Sequence, residues 1–268
     1  MKRILTFFLA MSIAVLFAVP SVTKAESESI LAWKVFTPKT EVEIDKEWTI
    51  TFSDQMEDRN LYQNISVIRE RDNQEIFIEP VIDQNDKKVV KLRLGRLYDF
   101  NENYVLYIKD GVKSIKGRPL KESVKMKFQT VNPEFSDPRV INKDGAEFQA
   151  MVSQIDKKLY AKIKVTNKSE ETIPYSGKNG CDKGLSADLF TETDNGEVRT
   201  GSKWTSPALC TLAIKKYSLK PEETVEIMEV INLPSEPLNG DIYLKINFQK
   251  GLPGNYSPSV VKIPVQLK

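Results

Sequence analysis

Residues 103–130 read NYVLYIKDGVKSIKGRPLKESVKMKFQT. Two runs in this stretch alternate apolar and polar side chains, Tyr104-Leu106-Ile108 and Val124-Met126-Phe128, and a period of two puts each apolar set on one face of a strand. Between them stand Asp110-Gly111, Lys116-Gly117 and Pro119, which favour turns because glycine tolerates positive φ and proline fixes its own. The stretch predicts two half-buried strands closing a sheet, and with them a β-sandwich.

The same alternation runs upstream through Val42-Ile44, Trp48-Ile50-Phe52, Ile65-Val67, Ile76-Ile78 and Val90-Leu92-Leu94. Polar breaks fall at residues 71–74 and 83–86, and short strands at such regular spacing argue for a sandwich. The order of tyrosine strand, Asp110-Gly111 turn, Gly117-Arg118-Pro119-Leu120 corner and terminal Phe128-Gln129-Thr130 resembles the last strands of the bacterial Ig-like domains found in surface-layer proteins. Ser53-Asp54-Gln55-Met56, after Phe52, resembles the turn that follows their second strand. The resemblance covers Val35 to Thr130 and implies an Ig-like fold at the bacterial surface.

The chain opens Met-Lys-Arg, continues through the apolar segment Ile4 to Val19, and reaches Thr23-Lys24-Ala25, the three-part form of a secretory signal peptide. The apolar run is interrupted by Pro20 and is shorter than the roughly 20 residues a spanning helix needs. Cleavage is expected near Glu26, with no transmembrane segment in the mature chain. Lys2, Arg3 and Lys24 lie in the removed part, which has no acidic residue, so the formal charge falls from +2 to −1. A chain so balanced is not a general nucleic-acid binder.

There is no histidine, which removes imidazole as a general base, as a triad member and as a metal ligand. Two cysteines are too few for a cysteine-only zinc site or a four-thiolate cluster. The acidic clusters at 83–86, 142–145 and 192–196 lack the spacing of a calcium loop, and turn formation accounts for them. The reading is therefore a non-enzyme without catalytic, cofactor-binding or metal-ligating residues. Trp33, Trp48 and Trp204 suit either sugar stacking or a sandwich core.

One cluster carries a functional signal. Lys109, Lys113, Lys116, Arg118, Lys121, Lys125 and Lys127 face only Asp110 and Glu122 within the same segment, and charge of one sign attracts polyanions. They form a candidate polyanion patch, with an anionic cell-wall polymer or another envelope protein as partner. The competing reading is structural, since lysine along strand edges keeps sheets from pairing with neighbours.

Pro133, Pro138 and Asp144-Gly145 mark a connector. The domains are expected at 26–131 and 148–268, with a linker at 132–147 after a signal peptide at 1–25. The second domain alternates at Leu159-Ala161-Ile163-Val165, Leu185-Ala187-Leu189, Tyr217-Leu219, Val225-Ile227, Ile242-Leu244-Ile246-Phe248 and Val261-Ile263-Val265-Leu267. Helical periodicity is absent. Val165-Thr166-Asn167, Ser176-Gly177, Asn195-Gly196-Glu197 and Leu219-Lys220-Pro221-Glu222 resemble turns of the bacterial proteinase-inhibitor domain called BsuPI. This chain has Pro221-Glu222 where that family has Pro-Gly, and it inserts a loop from Gly177 to Gly184. The resemblance implies an alternative function, a secreted proteinase inhibitor with a secreted protease as partner.

Cys181 and Cys210 enter an oxidising compartment, where two cysteines most often pair. A reactive thiol and an intermolecular bridge are the alternatives. The sequence thus reads as all-β, two Ig-like β-sandwich domains in tandem after a cleaved signal peptide. Its expected role is that of an exported, envelope-associated binding or structural protein.

Overall fold

Tyr104, Leu106 and Ile108 stand opposite Phe128, Met126 and Val124 in an antiparallel ladder, so the two alternating runs share one buried face. The structure, a computed structural model, describes residues 33–179, 181–206 and 213–267. The expected signal peptide and Cys210 lie outside the described residues. Among the described residues no helix is long and apolar enough to cross a membrane.

The first domain contains β1 (Lys34–Val42), β2 (Trp48–Thr51), β3 (Ile65–Arg69), β4 (Glu75–Ile76), β5 (Ile78–Ile82), β6 (Val89–Leu94), β7 (Asn103–Ile108) and β8 (Val124–Thr130). They form a five-stranded sheet ordered β1-β8-β7-β3-β4 and a three-stranded sheet ordered β2-β6-β5. Between the sheets an aromatic cluster fills the core. Trp48 lies 5.1 Å from Phe128, Tyr98 lies 4.9 Å from Tyr104, and Tyr104 stacks on Phe128 at 5.3 Å. The Tyr104 hydroxyl is not left bare, because it accepts the Asp99 backbone N–H at 2.8 Å.

Two details depart from the alternation. The run Ile76-Ile78 is not one strand: the chain changes sheets at Phe77, with β4 in the larger sheet and β5 in the smaller. The opening strand lies upstream of the expected Val42-Ile44 run, ending at Val42 with Ile44 buried in the turn that follows, and it pairs parallel to β8. Its ladder breaks twice, between Phe36 and Lys39 and between Lys39 and Val42. Pro38, which has no N–H to give, lies in the first break, and Glu41, at φ 54, lies in the second.

The second domain begins inside the expected linker. Arg139–Lys143 is strand β9, and Ala146–Ile155 is β10, paired with it antiparallel around the Asp144-Gly145 turn. The connector is thereby reduced to residues 132–138. Strands β11 (Lys158–Asn167), β12 (Ile173–Ser176), β13 (Leu185–Thr193), β14 (Gly196–Arg199), β15 (Ser202–Lys203) and β16 (Lys216–Leu219) follow. The last are β17 (Thr224–Asn232), β18 (Asp241–Phe248), β19 (Gly251–Leu252), β20 (Asn255–Tyr256) and β21 (Ser259–Pro264). One sheet runs β15-β17-β11-β10-β9 and the other β14-β13-β18-β21, with β12-β16 and β19-β20 as two-stranded ribbons. Leu159, Ile163 and Val165 of β11 share one core with Leu244, Ile246 and Phe248 of β18. This is a second β-sandwich.

The two sandwiches are packed together rather than strung out, and the described residues lie within one compact unit. Tyr160 and Val230 of the second sandwich belong to the buried core of the first, with Trp204, Met228 and Ile155 packed against it. The Tyr160 ring meets Phe100 edge to face at 5.4 Å. At the margin of this contact Lys158 donates to Glu43 and to both oxygens of Asp45, each at 2.7 Å. Burial works to lower the Lys158 pKa, but its bonds to Asp45 and Glu43 outweigh burial and hold it raised.

Candidate binding surface

The basic segment of the first domain is built on the excursion between β7 and β8. Val112 and Ser114 are buried and anchor it, while Lys113, Lys116, Arg118 and Lys121 stay exposed. The Ser114 N–H donates to the Arg118 carbonyl at 2.9 Å, and the Gly117 N–H returns to the Ser114 carbonyl at 2.8 Å. Gly117 closes this turn at φ 73, a conformation that a side chain disfavours. The Ser123 hydroxyl accepts the Asp110 N–H at 3.0 Å and fixes the other end. The cations therefore ride on a pinned loop.

The seven basic residues do not act as one surface. Lys109, Lys113, Lys116, Arg118 and Lys121 belong to the loop at one end of the sandwich, whereas Lys125 and Lys127 alternate with Met126 and Phe128 along β8 and lie on its outer face. Lys127 donates to Glu70 at 2.7 Å, and that bond raises its pKa. Arg118 is paired with Asp54. Desolvation pushes the Asp54 carboxyl up, but the Arg118 pair and the Gln55 N–H hold it below the ordinary carboxylate range. Among the described residues Lys109, Lys113, Lys116 and Lys121 form no ion pair, although the Lys116 charge also helps to hold the Asp54 carboxyl down, so the unbalanced charge gathers on the loop.

Beside that loop lies a hollow of about 640 Å³. Its apolar walls are Phe36, Phe52, Met56, Val112, Leu120 and Val124, and Lys34, Arg118 and Lys121 stand on its rim with Asp54 and Glu122. Its origin is the mismatch between the sheets. Trp48 of β2 meets Phe128 of β8 at a tilt, so β2 lies over β8, and among the described residues no strand of the smaller sheet follows β2 to lie over the next strand, β1. Phe36 is 50% exposed for that reason. The basic loop is legible in the sequence; Lys34 and Phe36 are not, although the pair Val35-Phe36 beside Pro38 is an available signal, and Phe52 reads there only as part of a strand.

The remaining candidates are structural in this fold. Trp48 and Trp204 pack against the first core, and Trp33 meets Tyr107 edge to face at 5.2 Å. Asp83 accepts the N–H groups of Asn85 and Asp86 and pairs with Lys91 at 2.6 Å, while Asp144 accepts the Ser259 hydroxyl at 2.8 Å. Among the described residues no group of three His, Cys, Asp or Glu side chains is placed to hold a metal ion. Cys181 sits in a loop closed by side chains: its N–H and that of Asp182 donate to Asn179, and the Lys178 and Gly184 N–H groups donate to Asp182. Its expected partner, Cys210, lies outside the described residues.

Residues 35–130 match the family model described as the bacterial Ig-like domain. The match spans nearly the whole first sandwich, which is thus similar to that domain, and it ends where β8 ends. No curated protein matches the chain. Among solved structures, the N-terminal part of the bacterial S-layer protein SbsC is similar at 9% identity and a TM-score of 0.31, over 88% of this chain and 44% of that one. Domains 1–6 of the surface layer protein SbsC are similar at 10% identity and a TM-score of 0.30, over 87% of this chain and 41% of that one. The chain spans less than half the length of either.

Proposed function

We propose that the chain is an exported, non-enzymatic protein of the bacterial envelope, with a structural or binding role carried by its first, Ig-like sandwich. The observation that carries the reading is the match of residues 35–130 to the bacterial Ig-like domain. The signal-like opening and the lack of histidine agree with it. The proposed first partner is an anionic wall polymer held by the lysines of the β7–β8 loop, since closely spaced charge of one sign attracts polyanions. The second sandwich is proposed to brace the first through the Tyr160, Val230 and Lys158 contacts. The proteinase-inhibitor alternative rests on short turn motifs alone.

The test is sedimentation of the mature protein with purified cell walls at rising salt. Retention that falls as salt screens the loop charges supports the reading, and a triple Lys113→Glu, Lys116→Glu, Lys121→Glu variant should lose it. Retention that ignores both salt and the triple variant removes the polymer as partner.

A further inference from the structure

We propose that the hollow under β1 is the seat of an extended acidic segment of another protein, added as a strand beside β2 with an apolar side chain lowered onto Phe36. The proposal rests on reading the first domain as a binding module and names the partner chemistry of its basic end. Three observations converge on it. The first is the vacant lane. Among the described residues β2 is paired with β6 alone and so stands at the edge of its sheet, and the hollow, walled by Phe36 of β1 and Val124 of β8, begins at Phe52 just past its end. A strand laid in that lane would satisfy the β2 edge and cover β1 together, the mode by which exposed sheet edges take extended peptides.

The second is the chemistry of the floor. Phe36, Phe52, Leu120 and Val124 are all exposed or half-buried, an apolar set that water now wets and a partner side chain would dry. The third is charge. Both rim acids already have partners, Asp54 in Arg118 and Glu122 in Lys34 at 3.7 Å, whereas among the described residues Lys121 on the rim and Lys113 and Lys116 on the same loop form no ion pair. An entering segment therefore meets a net positive rim, and glutamate or aspartate flanking an apolar residue fits it. A polyanion without apolar groups meets only the rim. A basic segment is repelled by the same lysines.

The experiment uses the mature chain and a fluorescent heptapeptide in which glutamate alternates with valine around a central phenylalanine, followed by anisotropy, with polyphosphate as the second probe. The peptide should bind. Phe36→Ser should weaken it about tenfold at low and at high salt. Lys121→Glu should weaken it only at low salt, and Val35→Ser, on the opposite face of β1, should leave it unchanged. Because Phe36, Lys121 and Val35 are exposed, unchanged melting temperatures are the check that each variant is folded. Peptide binding indifferent to Phe36→Ser, or equal binding of a peptide with lysine in place of glutamate, overturns the proposal. Polyphosphate binding without peptide binding overturns it too and leaves the polymer reading standing. If the folded chain binds neither probe, both fall.

Discussion

Lys158 of the second sandwich holds both carboxylate oxygens of Asp45 of the first at 2.7 Å. The Asp45 side chain is 7% exposed and that of Lys158 17%, so the pair is largely withdrawn from water. Removing the cation leaves a buried carboxylate without a counter-charge. Lys158→Met should therefore lower the stability to urea by about 3 kcal/mol, and adding Asp45→Asn should recover much of that loss. If the single variant is as stable as the parent, the pair does not hold the sandwiches together.

Tyr160 gives the opposite sign at the same contact. Its hydroxyl is buried with no hydrogen-bond partner among the described residues, and burial first, then Asp45 and Glu43, raises its pKa. Tyr160→Phe keeps the ring against Phe100 and removes the unpaired hydroxyl, so stability should stay level or rise by about 1 kcal/mol. A clear loss in the urea midpoint would show that the hydroxyl does have a partner.

Acid should loosen both domains through named carboxylates. Hydrogen bonds from Lys245 and Lys262 hold Glu197 down at about 2 from an ordinary 4.5, and Arg69 holds Asp72 at about 2 from 3.8. A depressed carboxylate contributes stability that is present above its unfolded pKa and lost as pH falls through its folded one. The denaturation midpoint should thus decline between about pH 4.5 and 2, and less steeply in Glu197→Gln and Asp72→Asn. Equal slopes in parent and variants would exclude both groups.

A bridge between Cys181 and Cys210 is proposed as structural. Closing a loop of about 30 residues stabilises by roughly 3 to 4 kcal/mol on the chain-entropy model. Reduction, or serine at both positions, should lower the melting temperature of the second domain, and the intact protein should leave trypsin-like and subtilisin-like proteases active. Two free thiols in the denatured, unreduced protein would reject the bridge, and stoichiometric inhibition that reduction abolishes would restore the inhibitor alternative.

What could be read from the residues was whatever repeats locally. Tyr104-Leu106-Ile108 and Val124-Met126-Phe128 announce their strands because each alternates over its own length, and they pair in the register that alternation requires. β1 announces itself only at its last residue, Val42, because the eight before it are exposed and no face is selected for apolar character. Arg139–Lys143 was hidden in the same way among prolines, with none of its five residues buried. The basic loop was visible as composition, but which cations are neutralised depends on Asp54 and Glu70, distant in sequence. The hollow beside it arises from strand counts in two sheets, a tertiary property without local trace.

The parallel pairing of β1 with β8 has a mechanical meaning. Tension applied between Lys34 and Thr130 pulls two strands that point the same way in opposite senses along their length, so the ladder is loaded in shear and its hydrogen bonds resist together instead of unzipping in turn. The breaks at Pro38 and Glu41 divide that ladder into short blocks, which makes them the points where yielding under load should begin.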